Sequence, residues 1–311
     1  MKKHLLGTLL ASLLSGSAAV AQQTGGSIGG RVLDPQGAAV PGATITAESP
    51  LTGFRRTETS DSRGVYRLSA LPIGLYDVTA ALQGFTTAAS KGVAVNVAQT
   101  RVIDFNLNVG GVAETVNVIG TPESLTERTA SSVGQVVDLR RIENLPLNGR
   151  QFANLAATVP GVGLGFHVDP TKGAQYAPLI NGGAGRNVNY QIDGGDNNDD
   201  TVGGLLQQFP LEAIQEFNFQ TQRFKAEYGR SNGGVMNVVT KSGTNAWAGS
   251  LFELFRDKSM SALTETEKLA GAAAKTNPIK GNYRRSQFGG SFGGPIVKNK
   301  IHFFGSVERF A

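Results

Sequence analysis

The sequence predicts a mainly β protein: a β-sandwich at the N-terminal end, a mixed α+β middle and a closing run of long amphipathic strands. Three observations carry this. Glycine is the outlier at 41 of 311 residues while aromatics make up only 7%, a balance that favours turn-dense β structure over helical bundles. Short strand patterns broken by turn residues recur through the first third of the chain. Beyond the N-terminus no apolar run approaches the roughly 20 residues that a membrane-crossing helix needs. A chain like this would cross a membrane only as strands.

Residues 1 to 21 have the order of a secretory signal: Lys2 and Lys3, the apolar stretch Leu5 to Leu14, then Ala19-Val20-Ala21 before Gln22. Their two lysines belong to the formal net charge of +5. The remaining basic excess is scattered rather than gathered on one face, which argues against a nucleic-acid partner. There is no cysteine, so disulfides, thiol catalysis and thiolate metal sites are excluded.

Residues 22–109 are expected to form the sandwich, with about seven strands of immunoglobulin or transthyretin type. Ile103, Phe105, Leu107 and Val109 alternate with Asp104, Asn106 and Asn108, giving one buried and one wet face. Val93, Val95 and Val97 follow the same rule, as do Tyr76, Val78, Ala80 and Leu82. Asp34-Pro35, Pro41-Gly42, Asp61-Ser62-Arg63-Gly64 and Pro72-Ile73-Gly74 mark the turns. Residues 110–125 read as a linker with a strand-like island, Glu114-Thr115-Val116-Asn117-Val118.

From 126 to 245 the local class is α+β. Gln135-Val136-Val137 is a short strand and Asp138 is placed to cap a helix carrying Leu139, Ile142 and Leu145 on one face, which Pro146 stops. A second helix is expected from Gln151 to Ala157, ending at Pro160-Gly161. Val188 to Ile192 is a strand running into Asp193-Gly194-Gly195, and Pro210 opens a helical turn before a strand at Phe217 to Thr221. Val235 to Thr240 is a further strand, closed by Ser242-Gly243-Thr244-Asn245. Residues 246–311 then read as three amphipathic strands: Ala246 to Arg256, Ser286 to Gly293 and Ile301 to Arg309. A long polar connection separates the first two and a brief turn at Pro295 to Lys300 the last two. On the third, Ile301, Phe303 and Val307 are expected to face lipid and His302, Ser306 and Glu308 inward, with Phe304 interrupting the alternation.

Gly233 to Asn245, GGVMNVVTKSGTN, resembles the end of the plug domain in TonB-dependent outer-membrane receptors, and Leu145-Pro146-Leu147-Asn148-Gly149-Arg150 resembles a segment of their Oar-like branch. The punctuation of the sandwich is similar to that of the carboxypeptidase regulatory-like domain: Gly30-Arg31-Val32 with Pro41-Gly42-Ala43, Gly64-Val65-Tyr66-Arg67-Leu68, Leu71-Pro72-Ile73-Gly74-Leu75-Tyr76 and Gly84-Phe85. The resemblance implies a periplasmic sandwich, a plug over residues 126–245 and the first strands of an incomplete outer-membrane β-barrel, three staves being too few to close one. The family's transporters use 22 strands around a plugged lumen, so the chain is expected to be a fragment of a longer receptor or a truncated product.

The function implied is energised uptake of a scarce solute, with the TonB complex of the inner membrane, outer-membrane lipid and an unknown extracellular solute, a glycan among the candidates, as partners. Glu114 to Val118 is similar to the TonB box, the peptide on which the complex pulls; a plain connecting strand is the other reading. Asn148, Gly149, Arg150, Asp193 and Gly194 are the plug-motif residues. Two other roles stay open: a carbohydrate- or protein-binding module anchored in the membrane, and an Oar-like part in secretion or adhesion.

Enzyme chemistry finds little support. G-x-S-x-G occurs at Ser27, Ser231 and Ser291, but it is a cheap pattern in a glycine-rich chain, and only His4, His167 and His302 are available as a base. No cofactor is expected. Asp196, Asn198 and Asp200 match the first ligand positions of a calcium loop, while Thr201 stands where glycine is needed and Gln207 where glutamate is needed. The alternatives there are a solvated acidic loop and a structural calcium ion.

Overall fold

The computed structural model describes residues 24–110, 116–119, 132–145, 147, 150–166, 176–183, 187–201, 203–225, 228–274, 280–281 and 284–310. The expected signal segment lies outside them. So do Glu114, Thr115, Asn148 and Gly149.

The first unit is a sandwich of two sheets. Strands β1 (Gly26–Leu33), β4 (Val65–Leu71), β7 (Thr100–Val102) and β8 (Phe105–Asn106) form one sheet. In the other, β2 (Thr44–Glu48), β3 (Arg55–Thr59), β5 (Gly74–Ala81), β6 (Ala88–Val95) and β9 (Val116–Ile119) run in the order β3-β2-β5-β6-β9. The segment at Thr100–Asn106 is broken into β7 and β8, so eight strands precede β9 where about seven were expected. Both pieces pair parallel with β1.

Alternation decides the core. Ile28, Val32, Ile45, Leu68, Tyr76, Val78, Phe105 and Leu107 pack together without meaningful exposure, each such side chain worth roughly 1.5–3 kcal/mol on burial. Val109 departs from the expected inward face and is 76% exposed, although its backbone bridges Phe85. The turns are held by their aspartates: Asp34 Oδ1 accepts from Gln36 N and Ala38 N, and Asp61 Oδ1 from Arg63 N and Val65 N. Gly30 has a steric role, since a Cβ there would stand 1.8 Å from the Ile103 carbonyl oxygen.

The second unit is a five-stranded sheet in the order β10-β15-β16-β13-β14, with β10 Val133–Val137, β13 Val188–Ile192, β14 Gly195–Asp196, β15 Ile214–Gln222 and β16 Gly234–Thr240. Helix α1 (Leu139–Asn144) is capped by Asp138, which accepts from Arg141 N at 3.0 Å. The segment expected as a second helix is a 3-10 helix over Phe152–Thr158. Beside it lies a hairpin of β11 (Val162–Phe166) and β12 (Tyr176–Ile180). Phe152, Leu155, Ile142, Tyr190, Phe217, Phe219, Met236 and Val238 build the core.

The third unit is an antiparallel ribbon: β17 (Ala248–Asp257), β18 (Arg284–Val297) and β19 (Ile301–Phe310). Among the described residues of the polar connection is a helix, α2 (Glu265–Ala273), opened by a capping box between Thr264 and Glu267. Register puts Ser250, Ser291 and Ser306 in one row on one face, and Gly249, Phe292 and Gly305 in a row on the other.

Candidate functional site

The middle unit meets the inner face of the ribbon, and Arg150 is the side chain that joins them. It sits at positive φ, 55°, just before the 3-10 helix. Its guanidinium pairs with Glu212 of the middle unit, lies 3.7 Å from Glu308 Oε1 on β19, and stacks 4.2 Å above the Phe252 ring on β17. Gln287 on β18 donates to Glu308 as well. One planar cation thus touches one residue of its own unit and two strands of the ribbon. The side chains of Glu212 and Glu308 are 15% and 7% exposed, so both carboxylates depend on that cation. Around it lies a cavity of about 620 Å³ lined by Ile142, Leu145, Leu211, Leu254 and Phe304 among others. Phe304 therefore keeps the alternation, as an inward residue packed toward the middle unit.

The chain passes between the two units through Lys241 to Asn245, which is clamped at both ends. Asp193, with φ of 49°, accepts from Thr240 N at 2.9 Å and from Thr240 Oγ1 at 2.6 Å. This ties the turn after β13 to the last residue of β16. Lys241 Nζ reaches Glu143 at 3.5 Å. On the far side, Asn245 Oδ1 accepts from Asn299 N at 2.8 Å and lies 3.0 Å from His302 Nε2. Asn245 N also donates to the Leu51 carbonyl of the sandwich at 2.8 Å.

A second contact ties the sandwich to the middle unit. Val97 N donates to the Glu216 carboxylate and Asn218 Nδ2 donates to Val97 O at 3.2 Å. Burial raises the Glu216 carboxyl to about 7, partly countered by the Val97 hydrogen bond and reinforced by the charge of Asp138.

On its outward face the ribbon carries aromatic side chains at the end nearest Asn245. Trp247 stacks on Phe292 at 5.4 Å and meets Phe303 edge-on at 5.6 Å. Gly294 makes room for the indole, since a Cβ there would stand 2.4 Å from Trp247 Cε3. Leu251, Phe288, Ile296, Ile301 and Val307 extend the exposed apolar face.

Of the residues expected to carry function, Arg150, Asp193 and Gly194 are at or beside this junction. Val116, Asn117 and Val118 belong to β9, which pairs parallel with β6. Asp196 and Asp200 both pair with Arg230. Asn198 turns its amide nitrogen toward Asp196 and its oxygen toward Tyr190 N. A guanidinium thus stands between the carboxylates, and among the described residues no group of three or more acidic or histidine side chains is arranged to hold a metal. Ser231 Oγ is engaged with the carbonyls of Asn187 and Gly234, while Ser291 faces Ser250 at 2.9 Å. Sequence reasoning missed Glu212, Phe252, Gln287 and Glu216. They carry no local motif, and their partners lie on other elements.

Residues 27–108 match the carboxypeptidase regulatory-like domain family. Over 304 residues, 94% of this chain, the sequence is 30% identical to the TonB-dependent transporter Oar of Myxococcus xanthus. The chain is a homologue of that transporter. It spans 27% of the Oar sequence. Residues 239–311 match the outer membrane beta barrel domain family. The barrel-family match and the relation to Oar place this Oar homologue in the outer membrane, and the relative it matches is a transporter. Among solved structures it is similar to the siderophore receptor PirA of Acinetobacter baumannii, at 19% identity and a TM-score of 0.43 over 59% of this chain and 25% of that one. PirA of Pseudomonas aeruginosa gives 18% identity and a TM-score of 0.37 over 58% and 29%.

Proposed function

We propose that the chain forms the periplasmic sandwich, the plug and the first barrel staves of a TonB-dependent transporter that takes up a solute across the outer membrane. The observation that carries this reading is Arg150. An α+β unit with a hydrophobic core of its own is pinned through that residue to the inward face of an amphipathic ribbon whose opposite face is apolar, the relation of a stopper to the wall it closes. In this reading the Lys241 to Asn245 passage is the hinge between plug and barrel. The cavity around Arg150 is the seam along which the plug shifts when pulled.

Glu114 to Val118 serve as the coupling peptide. Force reaches the plug through residues 120–131, which join β9 to β10. A sugar-binding role for the sandwich finds no support in its tyrosines, because Tyr66 and Tyr76 are buried and donate to the Ile103 and Pro72 carbonyls. They offer no exposed aromatic platform.

The test is capture of the detergent-solubilised chain by the purified periplasmic domain of TonB, for wild type and Val116→Pro. Proline removes a backbone donor from the strand, so the variant is expected to lose capture. Equal capture of both would remove Glu114 to Val118 from this role.

A further inference from the structure

The sandwich reaches the rest of the molecule through two turns at one end of its second sheet. Glu48 is paired with Asp77 and Val95 with Gly74, so the turn after β2 and the turn after β6 leave the sheet at the same end. They land on opposite sides of the Lys241 to Asn245 passage. The β6 turn meets the middle unit: Val97 N donates to the Glu216 carboxylate, and Val97 O accepts from Asn218 Nδ2 at 3.2 Å. Glu216 and Asn218 share one face of β15, so both backbone groups of a fully buried residue are held by side chains of one strand. The β2 turn meets the ribbon. Leu51 O accepts from Asn245 N at 2.8 Å, and Gly53 lies so close to the turn between β18 and β19 that a Cβ there would stand 2.4 Å from Asn299 Oδ1. Asn299 Oδ1 also accepts from Asn245 Nδ2 at 2.6 Å.

A body with a packed core resists shear, and the sandwich has such a core. Bonded on both sides of the passage, it limits how far those sides can turn against each other. The joint is nevertheless one that can part. Its bonds to the middle unit are polar, and Asn218 Oδ1 is buried there with no hydrogen-bond partner among the described residues. On separation water replaces each of these bonds and satisfies that oxygen as well. Polar interfaces between domains are those across which domains move.

We propose that the sandwich is a detachable splint across this junction: docked, it holds the middle unit against the ribbon in parallel with Arg150, and it lifts off before the middle unit shifts. This rests on the reading of Lys241 to Asn245 as a hinge. The sandwich is then an internal brake on the movement of the plug and more than a spacer.

Two holds in parallel have a signature that one alone lacks, because losing either leaves the hinge restrained by the other. Backbone amides report on both. Lys241 N donates to Ala213 O at 2.7 Å and reads the hinge, while Asn245 N, bonded to Leu51 O, reads docking of the sandwich. Hydrogen exchange is followed at constant pH on the full chain in detergent. The samples are wild type, Glu216→Ala with Asn218→Ala, Arg150→Ala, and all three substitutions together. Exchange at Asn245 is expected to quicken wherever the Glu216 and Asn218 contacts are gone. At Lys241 the change should stay under about threefold for either loss alone and reach about tenfold or more when they are combined. Unchanged protection in β4 and β13 is the sign that both cores remain folded. If the paired substitution loosens the middle unit itself, Asn218→Ala replaces it, with the same pattern expected at smaller amplitude.

Exchange at Lys241 that rises as far with Arg150→Ala alone as with all three substitutions would overturn the inference, and the hinge would stand. Unchanged exchange at Asn245 on loss of the Glu216 and Asn218 contacts would overturn it too, since the sandwich would then be held elsewhere. Unchanged exchange at Lys241 with all three substitutions, beside a quickened Asn245, would instead refute the hinge reading itself and the splint with it.

Discussion

Arg150 shows how much a single side chain can hold when its partners are buried. Replacing it by alanine leaves Glu212 and Glu308 facing one another without a cation, a change expected to cost about 3–5 kcal/mol. Thermal unfolding in detergent should register it as a marked drop in midpoint, and an unchanged midpoint would mean that the two units are held by other contacts. Nothing adjacent to Leu147-Asn148-Gly149-Arg150 names Glu308, which follows 158 positions later, so the motif was legible and its purpose was not. Glu216 makes a separate prediction. Its carboxyl is raised from 4.5 to about 7, so the folded state holds a proton that the unfolded chain releases. The stability from that proton is complete below pH 4.5 and is lost as pH rises through 7, amounting to roughly 3 kcal/mol at most. Glu216→Gln keeps an oxygen for Val97 N and removes the titration. Hydrogen exchange at the Val97 amide should quicken between pH 4.5 and 7 in wild type beyond its intrinsic pH dependence, and show no such excess in the variant.

At the level of elements, local chemistry was a reliable guide where an element is fixed by its own residues. Asp138 caps α1 as its position before Leu139 requires, and β13 has the limits Val188 and Ile192 that its pattern suggested. Where an element depends on what covers it, the pattern misled. Gln151 to Ala157 contains nothing hostile to an α-helix, yet the chain winds as a 3-10 helix, packed against β11 and β12. That hairpin escaped notice because Gly163 and Gly165 on one strand and Pro178 on the other dilute the strand signal. Helix α2 could have been found, since Thr264 followed by Glu267 spells a capping box. Thr264→Ala should cost about 1 kcal/mol of local stability, seen as faster exchange over Glu265 to Ala273. Asp193→Ala removes both bonds to Thr240 and places alanine at positive φ, a loss of about 2 kcal/mol. Asp193→Asn tolerates that backbone better and should recover part of it. Equal stability for all three would show that the clamp on β16 is not needed.

For the whole molecule, the arrangement of the three units carries the functional reading. The sandwich touches the middle unit at Val97 and the ribbon's entry at Leu51, so its contacts fall on the same side as the Lys298 to Lys300 turn. Trp247, Phe292 and Phe303 cluster at that end of the ribbon, where outer-membrane strands carry an aromatic girdle. Trp247 is the chain's single tryptophan and is 60% exposed, which makes it a clean reporter. In lipid its emission should shift to the blue and be quenched most by bromine carried near the headgroups. Emission that stays that of a water-exposed indole would place this end of the ribbon outside the membrane.

The sequence by itself determined the class of each unit, the turns, the inward and outward faces of the strands and the resemblance on which the transport reading began. These follow from side-chain period, glycine, proline and aspartate chemistry, all of which act over a few neighbouring residues. Only the tertiary structure decided that Arg150 bridges two units, that Glu216 is buried beneath Val97, that Arg230 stands between Asp196 and Asp200, and that β9 lies on β6. Each of these depends on charge, burial or backbone pairing between segments far apart in the chain, and the strength of such contacts is set by the distance and dielectric that folding alone creates.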